Sequence, residues 1–357
     1  MKKNNRIVEN VTIGVDLGDT WSHGVVLDEG GEVQERFRAR TTRGGLEKRL
    51  SGYERGRVVL EVGTHSPWVS RLVQELGHEP IVGNPRRIRL IAHSDRKSDR
   101  IDAEQLARLG RADPALLSPI RHRGEGVQRD RGLLSVREGL VRARTALINQ
   151  VRGIAKSLGV RVSKCDAASF AKRAARELPH PLFGGQEMIL ETIQELTDKI
   201  RQLDREIEAR AKKHYPETEL LRQVAGVGPI TALAFVLTLE DPRQFRRSRS
   251  VGAYLGLCPK QRDSGQSHPQ LRITKAGDVF LRRLLVQSAH YILGPFGPDT
   301  DLRRFGLRLI EQGGRRARKR ARVAVARKLA VLLHRLWVSA EVYQPLGYAQ
   351  ANLPEAA

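Results

Sequence analysis

Four carboxylates are placed where they could do chemistry together. Asp16 closes the apolar run VTIGVD, Glu61 closes VVLE, and Asp99 and Asp102 open the stretch SDRIDAEQLARL. The last two are three residues apart, so on a helix they share a face with Cβ atoms about 5–6 Å apart. Such a pair can hold one divalent ion jointly, or two neighbouring ions. Two ions about 3.5–4 Å apart clamp the attacking and leaving oxygens of a phosphoryl transfer. Hard Mg²⁺ suits an all-oxygen donor set and keeps some of its own water. Each acid also has a purely structural explanation. Asp99 could be an N-cap with Asp102 as its capping-box partner, both favoured by the helix dipole. Glu61 could be a surface acid at a strand end, and Asp16 a turn residue. The set is what favours metal chemistry: one strand, a later strand and a following helix, all ending near one sheet edge.

The elements that must position these acids follow from apolar spacing. VTIGVDL, SHGVVLD and GEVQERFRAR, separated by short turns, predict a three-stranded antiparallel meander. TTRGGLEKRLSGY predicts a helix, RVVLEVG a strand, SPWVSRLVQELG a helix opened by Pro67 and stopped by Gly77, HEPIVGNP a short strand, and SDRIDAEQLARLGRA a helix. Three strands followed by alternating helix and strand give an α/β, RNase-H-like (RuvC-like) domain at about residues 8–115. In this frame Asp19 is a turn residue. The stretch DLGDT at residues 16–20 also fits the phosphate loop of an actin-like ATPase. That alternative needs a second lobe with its own phosphate loop and an adenosine site, and sits poorly with the charge of the chain.

That charge is large. The 357 residues carry 63 Lys and Arg against 40 Asp and Glu, a formal net charge of +23. A polyanion is the expected partner, because neutralising phosphates releases counterions. The excess is mainly Arg, which suits bidentate phosphate contacts. Cys165 and Cys258 are the only cysteines, too few for a zinc site of usual spacing or a disulfide framework. The N-terminal MKKNNRIVEN has no secretory pattern, and the longest apolar stretch, ITALAFVLTL, is too short to span a bilayer. These features predict a cytoplasmic protein with no membrane association.

Beyond the first domain the sequence predicts helices: a linker over residues 116–218, a mostly α region over 219–340, and a tail over 341–357. An Arg-rich helix covers 127–160. A seam of Ile193, Leu196, Ile200, Leu203 and Ile207, spaced 3, 4, 3, 4, reads either as a coiled coil (about 188–212) or as one helix of an antiparallel pair. LLRQVAGVGPITALAF resembles a helix–hairpin–helix element whose Gly226-Val227-Gly228 turn exposes helix N–H groups to a phosphate. Arg315 to Lys328 holds eight basic residues and no acid. Arg315, Arg316, Arg318, Lys319 and Arg320 are therefore candidates for nucleic-acid contacts.

Asp16, Glu61 and the pair in SDRIDA resemble the DEDD tetrad of a family of bacterial insertion-sequence transposases. Its second motif, GxxP…SG…ITKxGxxxLR, stands here as GLCPKQRDSGQSHPQLRITKAGDVFLRR from Gly256 to Arg283. The resemblance spans nearly the whole chain. It implies a DNA recombinase with a RuvC-like domain, a coiled-coil linker and a C-terminal transposase domain, and a serine nucleophile paired with Mg²⁺ (or Mn²⁺) held by the tetrad. It further implies guidance by a structured noncoding bridge RNA, and dimers that assemble into tetramers. By its place in the motif the nucleophile is Ser264, with Ser267 a neighbouring alternative. Arg272, Lys275, Arg282 and Arg283 are expected to grip phosphates beside it. Where the family often has TG and an aromatic after its glutamate, Glu61 is followed by Val62-Gly63-Thr64-His65. A Holliday-junction-type nuclease using metal-bound water, or a nucleic-acid-binding protein without catalysis, are the alternatives from the residues alone.

Overall fold

The computed structural model describes residues 10–84, 99–262, 264, 269, 271–314 and 316–347, with Asp99 and Arg100 described in their backbone only. The chain forms two compact units, Met1–Gly124 and Glu125–Ala357.

The first unit is built on a mixed five-stranded sheet. Strands β1 (Val11–Leu17), β2 (Trp21–Leu27) and β3 (Val33–Arg40) form the antiparallel meander. Helix α1 (Arg43–Leu50) leads to β4 (Gly56–Glu61), and α2 (Ser66–Glu75) leads to β5 (Glu79–Gly83). Both later strands are parallel to β1, giving the order β3-β2-β1-β4-β5. This mixed topology, followed by helix α3 (Asp99–Ala112), is consistent with an RNase-H-like domain.

Period-2 alternation decides which side chains face which layer. Val11, Ile13, Val15, Val58 and Leu60 face α1 and α2, where they pack with Leu46, Leu50, Val69, Leu72 and Val73. The opposite face carries α3. There Val25 and Leu27 pack on Ala103 and Ala107, and Val59 and Ile81 pack on Leu106. Gly14 belongs to this second face, and the helix backbone rests directly on it. A Cβ built on Gly14 would fall 2.5 Å from the Ala107 amide nitrogen and closer still to the Ala103 carbonyl oxygen. Gly110 similarly leaves room for a Val59 methyl group.

The second unit is helical. Helices α4 (Glu125–Ser157) and α6 (Gln186–His214) run antiparallel, with the short α5 (Phe170–Glu177) packed on α6. Their register is fixed by polar pairs. Arg137 Nε donates to Asp204 Oδ1 (2.8 Å), Arg144 Nη1 to Thr197 (3.2 Å), and Arg210 Nη1 to Asp130 Oδ1 (2.6 Å). Burial of Tyr215, and then its hydrogen bond to Asp130, raise the phenol above its usual pKa. The seam predicted for α6 is rotated. Ile193, Ile200 and Ile207 are buried, but their partners along the seam are Leu190, Thr197 and Ala211, while Leu196 and Leu203 sit half-buried at its flank. The reason lies in α4, whose arginines reach Thr197 and Asp204 and draw that polar stripe inward.

The main core of this unit surrounds α8 (Pro229–Leu239), buried from Thr231 onward on all sides. Around it lie α7 (Glu217–Arg222), α9 (Arg249–Tyr254), α10 (Val279–Ile292), α11 (Asp301–Glu311) and α12 (Ala317–Ser339). Among the described residues no helix is long and apolar enough to cross a membrane.

The seating of α3 on β1 yields a first expectation. Gly14→Ala forces backbone away from backbone and is expected to cost about 1–3 kcal/mol or more of stability, as overpacking does. Urea unfolding monitored by Trp fluorescence measures this. An unchanged midpoint would show that the helix does not depend on the glycine.

Candidate active site

Strand register puts Asp16 and Glu61 side by side. The parallel pairing of β1 and β4 runs through Val15 and Leu60, so Asp16 and Glu61 follow as the next residues of the two strands. Both lie on the α3 face, because Gly14 and Val59, two residues earlier in each strand, do.

Helix α3 brings the remaining acids to the same edge because it runs opposite to β1. Its C-terminal end is tied to the far end of the sheet. Arg57 Nη1 donates to the Gly110 carbonyl (2.9 Å), and Arg111 Nη2 donates to the Glu29 carbonyl beside the β2–β3 turn (2.7 Å). The first turns, with Asp99 and Asp102, therefore lie at the strand ends that carry Asp16 and Glu61. Asp102 is one turn before Leu106, which packs on Val59 and Ile81, so it lies on the stripe of α3 that passes over β4. The side chain of Asp99 is outside the described residues.

The donor set can be tested against a hard cation. Asp102 is half-buried, and its Oδ1 is buried with no hydrogen-bond partner. An unpaired buried carboxylate oxygen is costly unless a cation or donor reaches it. That oxygen therefore caps no backbone N–H. Asp16 and Glu61 are each engaged by a neighbour. Among the described residues the carboxylates do not form a closed cluster of three donors, and Asp99 would have to join Asp16, Glu61 and Asp102 to complete the set. The chemistry of the donors fits Mg²⁺.

One neighbour of this edge was not singled out from sequence. His23 pairs directly with Asp16 across the β1–β2 hairpin, on the same face. Counting outward from the turn at residues 18–20 would have found it. The loop after Glu61 places His65 against Asp19, with Nε2 3.4 Å from Oδ1, while Trp68 Nε1 donates to His65 Nδ1 (3.1 Å). Asp19 itself is fully exposed, as befits a turn residue.

In the second unit the serine motif sits on a short ribbon. Pro259 bridges Ile273, Lys260 N donates to the Arg272 carbonyl (2.9 Å), Thr274 N to Cys258 (2.9 Å) and Lys275 N to Gly256 (3.1 Å). Two glycines with positive φ close its base. A Cβ on Gly256 would lie 2.7 Å from the Lys275 carbonyl carbon, and one on Gly277 would overlap the Tyr254 carbonyl oxygen. Lys275 itself adopts φ +57° between them. Ser264 is exposed. Ser267 lies outside the described residues.

Two family models match this chain. One, described as a transposase model, matches residues 13–159, and the other, described as the transposase IS116/IS110/IS902 family, matches residues 218–300. The chain is 30% identical to the transposase for insertion sequence element IS1111A of Coxiella burnetii, over 96% of its own length and 94% of that protein. It belongs to the IS116/IS110/IS902 family of insertion-sequence transposases. A second relative is the transposase for insertion sequence element IS1328 of Yersinia enterocolitica, 30% identical over 78% of this chain and 83% of that one. A pilin gene-inverting protein of Moraxella lacunata is 27% identical over 40% of this chain and 44% of its own. The transposase is therefore a DNA-cutting and rejoining enzyme.

The basic residues expected to touch nucleic acid part into two groups in this transposase. Arg272, Lys275, Arg316, Lys319 and Arg320 line one cleft of about 1380 Å³. Arg249, Arg327, Lys328 and Arg335 line it too, against the single carboxylate of Asp301. Arg318 is exposed on α12, and Arg315 lies outside the described residues. Gly226 and Gly228 border a separate, shallower cavity of about 430 Å³ at the start of α8.

The other group is bound up in the protein. Arg282 is only 8% exposed, and its Nη1 donates to the carbonyls of Leu255 (3.0 Å) and Ala276 (2.6 Å). It pins the base of the serine ribbon, which corrects its expected place beside a phosphate. Arg283 pairs with Glu138 at 2.7 Å and lies over the Phe280 ring. Arg282→Ala is expected to cost about 1–3 kcal/mol by leaving buried carbonyls unpaired, and to leave the salt dependence of DNA binding unchanged. A slope lowered by about one phosphate contact would instead make Arg282 a direct DNA ligand.

Proposed function

We propose that this transposase cuts and rejoins DNA with a serine nucleophile, Ser264, working with a divalent metal held by Asp16, Glu61, Asp99 and Asp102. The observation that carries the reading is the meeting of Asp16, Glu61 and the first turns of α3 at one sheet edge, with Asp102 Oδ1 buried and unpartnered. When bound there, Mg²⁺ would supply charge neutralisation at a scissile phosphate and lower the barrier to deprotonation of a nucleophile.

The chain's own residues do the rest. The Ser264 hydroxyl is a weak nucleophile at neutral pH and needs its proton removed. Its Oγ attacks phosphorus, the bond from phosphorus to a deoxyribose oxygen breaks, and that oxygen takes up a proton. The resulting phosphoserine link keeps the bond energy for rejoining. The exposed position of Ser264, and the hydrogen-bonded ribbon formed by residues 256–260 and 272–275 of the same motif, support this role, since a nucleophile must reach a phosphate from a positioned chain. Asp16 and Glu61 would hold the metal from the strands, and Asp99 and Asp102 from the helix.

The domain scheme goes with this reading: a catalytic RuvC-like domain at 8–115, a helical linker with a coiled-coil segment, and a C-terminal domain whose Gly226–Gly228 turn acts as a helix–hairpin–helix contact. The cleft cations, Arg272, Lys275, Arg316, Lys319 and Arg320 among them, serve the phosphates of DNA and of a structured noncoding guide RNA. The chain works as a dimer and, in the synaptic complex, as a tetramer.

Incubation of protein, guide RNA and element DNA with Mg²⁺ should trap a covalent protein–DNA adduct on denaturing gels. Chelation of the metal, or Asp16→Asn, Glu61→Gln, Asp99→Asn or Asp102→Asn, is expected to lower strand cutting by about 10²-fold or more, the scale of lost transition-state electrostatics. Asp19→Asn should leave it unchanged, and Ser264→Ala should abolish the adduct. An adduct that survives Ser264→Ala but disappears with Asp102→Asn would sink the serine assignment.

A further inference from the structure

Beside the carboxylate edge, on the same face of the sheet, a tryptophan holds two arginines. Trp21 pairs with Arg40 and His23 pairs with Arg38 across β2 and β3. The Arg38 guanidinium carbon lies 4.1 Å from the Trp21 ring centroid, and that of Arg40 lies 4.4 Å from it. The face is fixed by their neighbours. Arg36, two residues before Arg38, forms an ion pair with Glu104 of α3, and Val25 opposite it packs on Ala103 and Ala107. Across this face the order is therefore Arg38 and Arg40, then Trp21 and His23, then Asp16, then Glu61. Neighbouring strands lie about 4.8 Å apart, so the arginine strand is about 10 Å from Asp16.

The charges of this cluster are unbalanced. Arg36 has its counter-ion in Glu104, but among the described residues neither Arg38 nor Arg40 pairs with a carboxylate. Two guanidiniums within cation–π range of one ring repel each other, and the indole face offsets this only in part. An anion between them would receive planar, bidentate donors already in place. Charged side chains on an edge strand such as β3 also guard against unwanted strand pairing. Guarding, however, does not require that both arginines stack on one half-buried aromatic ring beside the carboxylate edge.

We propose that Trp21, Arg38 and Arg40 form a docking platform for the DNA strand cut at the carboxylate edge. The two arginines hold a phosphodiester close to the scissile one, and the indole supports a base or sugar of the same strand. The proposal rests on the reading of Asp16, Glu61, Asp99 and Asp102 as the catalytic edge. DNA is favoured over RNA because the platform is continuous with the edge where DNA is cut.

The test reads binding, so that its failure is separable from failure of the catalytic reading, which would show as unimpaired cutting by the carboxylate variants. The full chain is titrated with fluorescent element-end DNA and, separately, with labelled guide RNA, in chelator and over a series of salt concentrations. Arg38→Ala with Arg40→Ala is expected to weaken DNA binding by roughly tenfold or more and to lower the salt slope by about two phosphate contacts. RNA binding should be unaltered. Trp21→Ala should weaken DNA binding and Trp21→Phe should restore most of it. Both arginines are exposed, so a circular dichroism melt equal to that of the parent chain is expected and would establish that the loss is local. An unchanged DNA affinity and slope in the double variant would overturn the platform, and a loss confined to RNA would overturn its assignment to DNA.

Discussion

The approach of α3 to β1 at Gly14 is the contact on which the first unit's chemistry depends. A helix normally rides on a sheet at the distance its side chains impose. Here a glycine removes the side chain on the sheet, and Ala103 and Ala107 keep it minimal on the helix. The backbones close up, and the tilt and height of the helix are set by the main chain and not by flexible side chains. Arg57 and Arg111 fix the other end by gripping carbonyls. A helix held at the middle and at its C-terminus delivers its first turns to a defined place, which is what the proposed metal site would require.

The second unit uses the same device at a different scale. Gly256 and Gly277 let two turns touch backbone to backbone, Lys275 takes a left-handed conformation between them, and the Arg282 guanidinium ties their carbonyls together from beneath. Much of the motif is thus scaffolding. Its glycines and one of its arginines make a rigid base, and Ser264 is exposed. A rigid base together with an exposed serine suits the nucleophile proposed above, which must meet a bulky polymer.

Much of the sheet was legible because its strands alternate cleanly and its turns carry Gly and Asp. Val11 to Leu17 and Val58 to Leu60 bury every second residue on one helix layer and the others on α3, so period alone assigns Asp16 and Glu61 to a common face. Other features were not legible, for reasons that lie in partners distant in sequence. Apolar spacing runs the α6 seam through Leu196 and Leu203. The structure prefers Thr197 and Asp204, since α4 presents Arg144 and Arg137 there. Arg282 looked like its neighbour Arg283 on paper, and only the fold shows it facing carbonyls while Arg283 faces Glu138. His23 lay hidden in a strand whose apolar neighbours drew attention, although the hairpin count places it opposite Asp16.

The net charge of +23 points to a polyanionic partner, and its distribution refines what it means. Part of the arginine excess is structural. Arg137 and Arg210 join α4 to α6, Arg131 reaches Asp278 at the start of α10, and Arg303 Nη1 donates to the carbonyls of Ile292 and Gly294, both at 2.6 Å. Such groups are already desolvated and hydrogen-bonded, and would gain little from a phosphate. The cleft of the second unit is different, because nine cationic side chains line it against one carboxylate. Like charges gathered at that density raise the energy of the unliganded protein, and a polyanion lowers it by releasing counterions. Composition therefore identifies the class of partner, whereas burial and pairing identify which arginines are left to meet it.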